Sequence, residues 1–340
     1  MDVIPSKIPE NLPEYATRYI DLGHPRLGTK PVFTTDDWFA PVERMLNPEP
    51  AVFITDKYDD NGKWMDGWES RRKRFSGYDY SIVKLGFSSI IKGFCLDTSH
   101  FTGNFAPAAS IEACISDQDI PEENASWTEL VPTTDLKGND HCFVQVDSDV
   151  AWTHIRLNIF PDGGLARLRI YGMPSIDWSK RDKSELVDLA ATVNGGRAIS
   201  WSDAHFGVPS NLLAPGRGVN MGDGWETARR RVPGFDWCIL ALGHKGLIEE
   251  IEIDTAHFKG NFAYKCSIHA ANVSFGTEDT LATQSMFWEE LLPETELDMD
   301  QIFTFAKDKL NDLGPITHIR LNIFPDGGIS RIRLRGKPVE

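Results

Sequence analysis

The chain of 340 residues lacks most of the features that assign a chemistry at sight. It has five cysteines, Cys95, Cys114, Cys142, Cys238 and Cys266, and no two of them stand at metal-ligand spacing. An odd count also excludes a closed disulfide framework, so buried, reduced thiols are expected. No apolar run approaches the roughly 18–20 residues that a membrane-crossing helix needs. The opening stretch, MDVIPSKIPENLPEY, is polar and proline-rich and has no apolar segment of the kind a secretory signal carries. A cytoplasmic protein with no membrane partner is the expectation. Positive charge is also short: 35 Lys and Arg stand against 50 Asp and Glu, for a formal net charge of −15. Phosphate backbones need a local excess of basic residues, so no nucleic-acid partner is expected. An anionic ligand would gain nothing from the overall field and would need its own local arginines. HExxH, CxxC, a Walker loop, GxGxxG after a strand and a GxSxG elbow are all missing. Covalent serine or cysteine catalysis and nucleotide chemistry are therefore unsupported.

What the chain does have is itself, twice. HIRLNIFPDGG stands at residues 154–164 and again, letter for letter, at 318–328. The self-similarity runs far beyond it. DGWESRRKR (66–74) matches DGWETARRR (223–231), and LDTSHFTGNFA (96–106) matches IDTAHFKGNFA (253–263). WTEL (127–130) matches WEEL (288–291), and YIDLGHPRLG (19–28) lines up with LVDLAATVNG (186–195). The register slips around Glu49–Met65 in the first copy, and around Thr280–Thr283 and Asn311–Ile316 in the second. Such length changes belong in loops. A period this long marks a duplicated domain and not a solenoid. The expected repeats are residues 1–173 and 174–340. With 41% hydrophobic residues, each half can bury a core.

Alternation favours strands. In THIRLNIF, Ile155, Leu157 and Ile159 face one way and His154, Arg156 and Asn158 the other. In ARLRIYG, Leu168 and Ile170 oppose Arg167 and Arg169. With Pro161, Gly163 and Gly164 between them, the two segments read as strands joined by a tight turn. DYSIVKLG, DWCILALG, LIEEIEIDT and ASIEACIS read as further short strands, and Ala40–Leu46 and Lys183–Leu189 as short helices. Many short strands per repeat predict an all-β protein of two tandem β-sandwich or jelly-roll repeats, arranged about a pseudo-two-fold axis.

Three pairs of loops carry the chemistry. Each DGWE loop sets Asp66 or Asp223, Trp68 or Trp225, and Glu69 or Glu226 beside clustered arginines: Arg72 and Arg74, or Arg229 and Arg231. Such a loop can pair a substrate carboxylate with arginine while a carboxylate acts as base, or it can be a self-neutralising salt-bridged turn. The second pair runs from a strand end into a loop with Asp97 and His100, or Asp254 and His257, followed by Asn104 or Asn261. These residues suit acid–base work, ligation of a divalent metal, or stabilisation of the turn through its own backbone. No motif demands a cofactor. In the third pair, TTDDWF and WSDAHF, Trp38 faces His205, a candidate substrate contact in one repeat only. The arginines of the HIRLNIF and ARLRI strands, Arg156, Arg320, Arg167, Arg169, Arg331 and Arg333, form an expected basic outer face that could hold an anion or meet a carboxylate.

In combination, Asp223–Arg231, Asp254–Phe262, the LLxPGRG form at Leu212–Gly218 and the doubled HIRLNIFPDGG resemble the allantoicase family over nearly the whole chain, from about Tyr19 to Gly336. The first repeat departs at Leu46–Pro50, where PGRG is absent. The resemblance implies two galactose-binding-like jelly rolls in a cytosolic enzyme that forms homo-oligomers. It also implies a reaction: hydrolysis of allantoate, an acyclic diureido acid, to ureidoglycolate and urea. Such a substrate needs an arginine for its carboxylate, an activated water and a proton donor for departing urea. Arg229 and Arg231, or Arg72 and Arg74, suit the first task. Glu226, Asp254 and His257, or Glu69, Asp97 and His100, suit the others. Trp225, Asn104, Asn261 and His205 complete the expected substrate contacts. The competing class is a galactose-binding-like module that binds carbohydrate without catalysis, with Trp64, Trp68 and Trp225 stacking on sugar rings.

Overall fold

Period-two alternation builds both halves of the chain. A computed structural model describes residues 1–182, 184–274 and 277–339, and it divides into two units, Met1–Ser175 and Ile176–Glu340. In the first unit the main strands are β1 (Lys30–Thr34), β2 (Asp79–Asp97), β3 (Ala108–Cys114), β4 (Thr128–Asp135), β5 (His141–Gln145), β6 (Ala151–Phe160) and β7 (Arg167–Pro174). Their order is β4-β3-β6-β2-β7, with β1 and β5 also paired to β2. The second unit repeats this order. Its strands are β8 (Arg197–Trp201), β9 (Asp236–Asp254), β10 (Lys265–Ala271), β11 (Glu289–Glu296), β12 (Ile302–Ala306), β13 (Ile316–Phe324) and β14 (Arg331–Pro338). They run β11-β10-β13-β9-β14, with β8 and β12 on β9.

The long strand of each unit makes the two layers. Ser81–Lys84 of β2 bonds to β1 and β6, whereas Gly93–Asp97 bonds to β5 and β7. One strand thus passes from one sheet into the other, and the apolar face of each lies between them. Ile155, Leu157, Ile159, Leu168 and Ile170 are all fully buried there, as are Ile319, Leu321, Ile323, Ile332 and Leu334 in the second unit. Each unit is an all-β jelly-roll sandwich with its own core.

Three expectations about secondary structure need correction. DWCILALG and LIEEIEIDT are not separate strands: both lie in β9. HIRLNIF and ARLRIYG are not hairpin partners, because β2 lies between β6 and β7 and pairs with both. The turn between them crosses from one edge of β2 to the other. Lys183–Leu189 is not a helix: Val187–Asp188 is a short strand against β14, which satisfies the backbone that a helix would have satisfied, and Lys183 lies outside the described residues. Ala40–Leu46 does hold a short helical turn, a 3-10 helix at Val42–Leu46.

The arginines of β7 and β14 do not form an open basic face. Arg167 and Arg331 are each only 1% exposed, covered by the loops that precede the DGWE segments. Arg167 Nη2 bonds Asp66 Oδ2 at 2.7 Å, and Arg331 Nη2 bonds Asp223 Oδ2 at 2.8 Å. Arg169 meets Asp21, Arg333 meets Asp188, and Arg156 meets Glu112. Each of these guanidinium groups is neutralised by a carboxylate of its own unit.

Candidate functional site

The segment PDGG, which composition alone makes a turn, organises the candidate site. After cis Phe160–Pro161, Gly164 pairs antiparallel with Glu69 and parallel with Phe105. Gly164 N donates to Asn104 O at 2.7 Å. Gly328 does the same in the second unit, pairing with Glu226 and Phe262 and donating to Asn261 O at 2.8 Å. One glycine therefore holds the Glu strand on one side and the Asn loop on the other. Asp162 adds a cap: its Oδ2 accepts from Lys73 N at 2.8 Å and its Oδ1 meets Arg72 Nη1 at 3.3 Å. Asp326 accepts from Arg230 N at 2.9 Å.

The result is a side-chain pair repeated in both units. Asn104 Nδ2 donates to Glu69 Oε1 at 2.9 Å, and Asn261 Nδ2 donates to Glu226 Oε1 at 2.5 Å. The amide orients the carboxyl and leaves Oε2 without a hydrogen bond among the described residues. Burial pushes the Glu69 carboxyl above its ordinary value. The Asn104 amide and the Arg72 charge pull it partly back, and Asp59 adds to the rise. A carboxyl with one oxygen fixed, the other open and its proton affinity raised is suited to moving a proton.

The glycine at this crossing has no room for a side chain. A Cβ on Gly164 would lie 2.0 Å from Phe101 Cε1, and one on Gly328 equally close to Phe258 Cε1. Gly164→Ala and Gly328→Ala are expected to destabilise their repeats by about 1–3 kcal/mol, the usual range for overpacking. Urea denaturation reads the loss, and turnover falls with it as the Glu–Asn contact loosens.

The other predicted residues divide clearly. Asp97 and Asp254 are engaged in structure. Asp97 Oδ1 accepts from Ser99 N at 2.7 Å, with His141 Nε2 3.5 Å from Oδ2. Asp254 accepts from Ala256 N at 2.8 Å and is gripped by Arg217 Nε at 2.9 Å. His100 and His257 hold left-handed backbone, with φ of 67° and 71°, pinned by bonds from their N–H groups to Asn139 and Asp300. Their Nε2 atoms lie 3.3 Å from Ala51 O and 2.8 Å from Gly218 O. An Nε2–H donated to a carbonyl leaves Nδ1 as the open lone pair. Among the described residues no group of three His, Cys, Asp or Glu side chains is placed to hold a metal ion.

Trp68 and Trp225 are fully buried, with Nε1 donating to Asp36 O and Asp203 O. Buried in this way, neither indole presents an exposed ring face for stacking. Arg74, Arg229 and Arg231 are exposed, and Arg72 lies close enough to act on Glu69. His205 is exposed beside the site, its backbone N–H donating to Glu226 O at 3.1 Å. Sequence reasoning missed Asp162 and Asp326, although both stand inside the exact repeat. It also missed Arg217, the one arginine of PGRG, which pairs with Asp254; the equivalent Asp97 of the first unit has His141 beside it instead.

Comparison with known proteins bears on the whole chain. The allantoicase repeat family matches residues 20–175 and 187–339. A probable allantoicase 2 of Burkholderia pseudomallei is 58% identical over 327 residues, covering 96% of this chain and 97% of that protein. A probable allantoicase of Ralstonia nicotianae is 57% identical over 326 residues, again covering 96% and 97%. Among solved structures, the allantoicase of Saccharomyces cerevisiae superposes with a TM-score of 0.78 at 34% identity, covering 94% of each chain. Both jelly rolls, their duplicated motifs and these matches lead to one conclusion: the chain belongs to the allantoicase family.

Proposed function

We propose that the reaction of this family, hydrolysis of allantoate to ureidoglycolate and urea, takes place at the Glu–Asn pair of each repeat. In that reaction a C–O bond forms at the carbon carrying both ureido groups, and one C–N bond at the same carbon breaks. The proton lost by water ends on the nitrogen of the departing urea. Glu69 Oε2 and Glu226 Oε2 are the groups suited to carry it. Arg72 and Arg229, with Arg74 and Arg231 further out on the same loops, suit the substrate carboxylate. His100 and His257 serve as positioning residues or as a second proton carrier through Nδ1.

The observation that carries this reading is the orientation of the same carboxyl oxygen by the same amide in both repeats. The direct test of the reaction is incubation with allantoate while urea and ureidoglycolate are measured. Stoichiometric release of both supports it. No urea, together with saturable carbohydrate binding, would sink it in favour of the binding-module reading.

The Asn104 amide stabilises the charged form of Glu69, so its loss raises the proton affinity of that carboxyl further. In a Glu226→Gln background, Asn104→Ala is therefore expected to move the acid limb of the kcat/KM profile to higher pH. A downward or absent shift removes Asn104 from the proton-carrying unit. With this reading go cytoplasmic location and self-association. Five unpaired thiols favour the first, and sedimentation tests the second.

A further inference from the structure

The arginines of the two HIRLNIF strands are equivalent in sequence but not in charge balance. In the first unit Arg156 lies opposite Glu112 across the β6–β3 pair, and Glu112 Oε2 accepts from its Nε at 2.8 Å and its Nη2 at 2.6 Å. In the second unit the register puts His269 opposite Arg320, so the acid is gone. Arg320 is nonetheless the more enclosed of the two, at 7% exposure. Its Nε donates to Asn322 Oδ1 and its Nη1 to Ser285 Oγ, both at 3.0 Å. The guanidinium stacks over Trp237 at 4.5 Å from the ring centroid. No carboxylate among the described residues pairs with it, and Nη2 has no hydrogen-bond partner there.

We infer that Arg320, with Trp237 and His269 beside it, is a binding site for a small free carboxylate, in the position that the Glu112 side chain fills in the first repeat. Three features support it. A buried guanidinium with only neutral partners retains an uncompensated charge, and burial pushes the arginine down from its ordinary proton affinity. The fork geometry of a guanidinium matches a carboxylate better than a spherical anion. The first repeat supplies the pairing in cis at the equivalent strand position. His269 Nδ1 lies 3.0 Å from Trp288 O, which holds the ring in place opposite the arginine. This site is built on β9, β10 and β13 and shares no residue with the Glu–Asn pairs.

The test uses acetate as probe on the full chain, with chloride at equal ionic strength as control. Acetate at a hundred times its dissociation constant is expected to shift the unfolding equilibrium of the second repeat by about 100-fold. Chloride should do markedly less. His269→Glu restores the missing acid in cis. It should be more stable than the parent in acetate-free buffer and should lose the acetate response. Arg320→Met should lose the response as well. Calorimetric titration of acetate into the unaltered protein should show one saturable site per chain, independent of how either variant folds. Equal effects of acetate and chloride, an unchanged response in His269→Glu, or titration without saturation would each overturn the proposal.

Discussion

Asp66→Ala is expected to destabilise the first repeat by about 3–5 kcal/mol, the range for breaking a buried ion pair from one side. Arg167 makes the cost large. Its side chain is 2% exposed, and it also donates to the carbonyl oxygens of Glu49, Arg44, Asp66 and Ala166. Among the described residues Asp66 is its only carboxylate partner, and the same carboxylate accepts from Val52 N at 2.9 Å. Removing it leaves a buried cation held by neutral dipoles and a backbone donor without its acceptor. Adding Arg167→Met should recover part of the loss, because no unpaired charge then remains. Arg72→Ala serves as contrast. That side chain is 58% exposed and meets Asp162 at 3.3 Å, so its pair should be worth about 0–1 kcal/mol. Urea midpoints of the first transition separate these cases. A loss below about 1 kcal/mol in Asp66→Ala would show that the pair does not hold the DGWE loop in place.

The duplication, the strand alternation and the residues that meet at the site were legible in the sequence, because each leaves a local mark. Glu69 and Asn104 stand in conspicuous loops, and Ile155, Leu157 and Ile159 alternate as a buried face must. What joins them was not legible. The pairing of Gly164 with Glu69 links segments 95 positions apart in the chain, and no local pattern records such a contact. PDGG carries every mark of a tight turn, so it reads as the bend of a hairpin when it is a crossover beside the site. The alternation correctly sets Arg167 opposite the apolar face of β7. It does not show that the segment around Arg44–Asp66 folds over that face and buries the arginine. Asp97 and Asp254 each accept from a backbone N–H two positions on, a contact that the composition of the loop does not record.

Glu69 gives the site a second signature. A carboxyl whose folded proton affinity is raised disfavours folding once it ionises. Its penalty is absent well below the ordinary carboxyl value of about 4.3 and grows as pH rises through and above it. Glu69→Gln should therefore be more stable than the parent at neutral pH, and the gain should vanish in acid. A catalytic group held at some cost to the fold behaves in this way, whereas a group that serves only structure would lose stability on replacement.

The central claim, that the paired glutamates carry the proton in both repeats, is tested most directly by urea release from allantoate in Glu69→Gln, Glu226→Gln and the double variant. Two independent, equal sites add, so each single variant should keep about half of the turnover. The double variant should lose about 10²–10⁴-fold in kcat while remaining folded, the range for removal of a general acid–base group. Near-normal turnover in the double variant would contradict the claim outright, and complete loss in one single variant would contradict the equivalence of the two repeats.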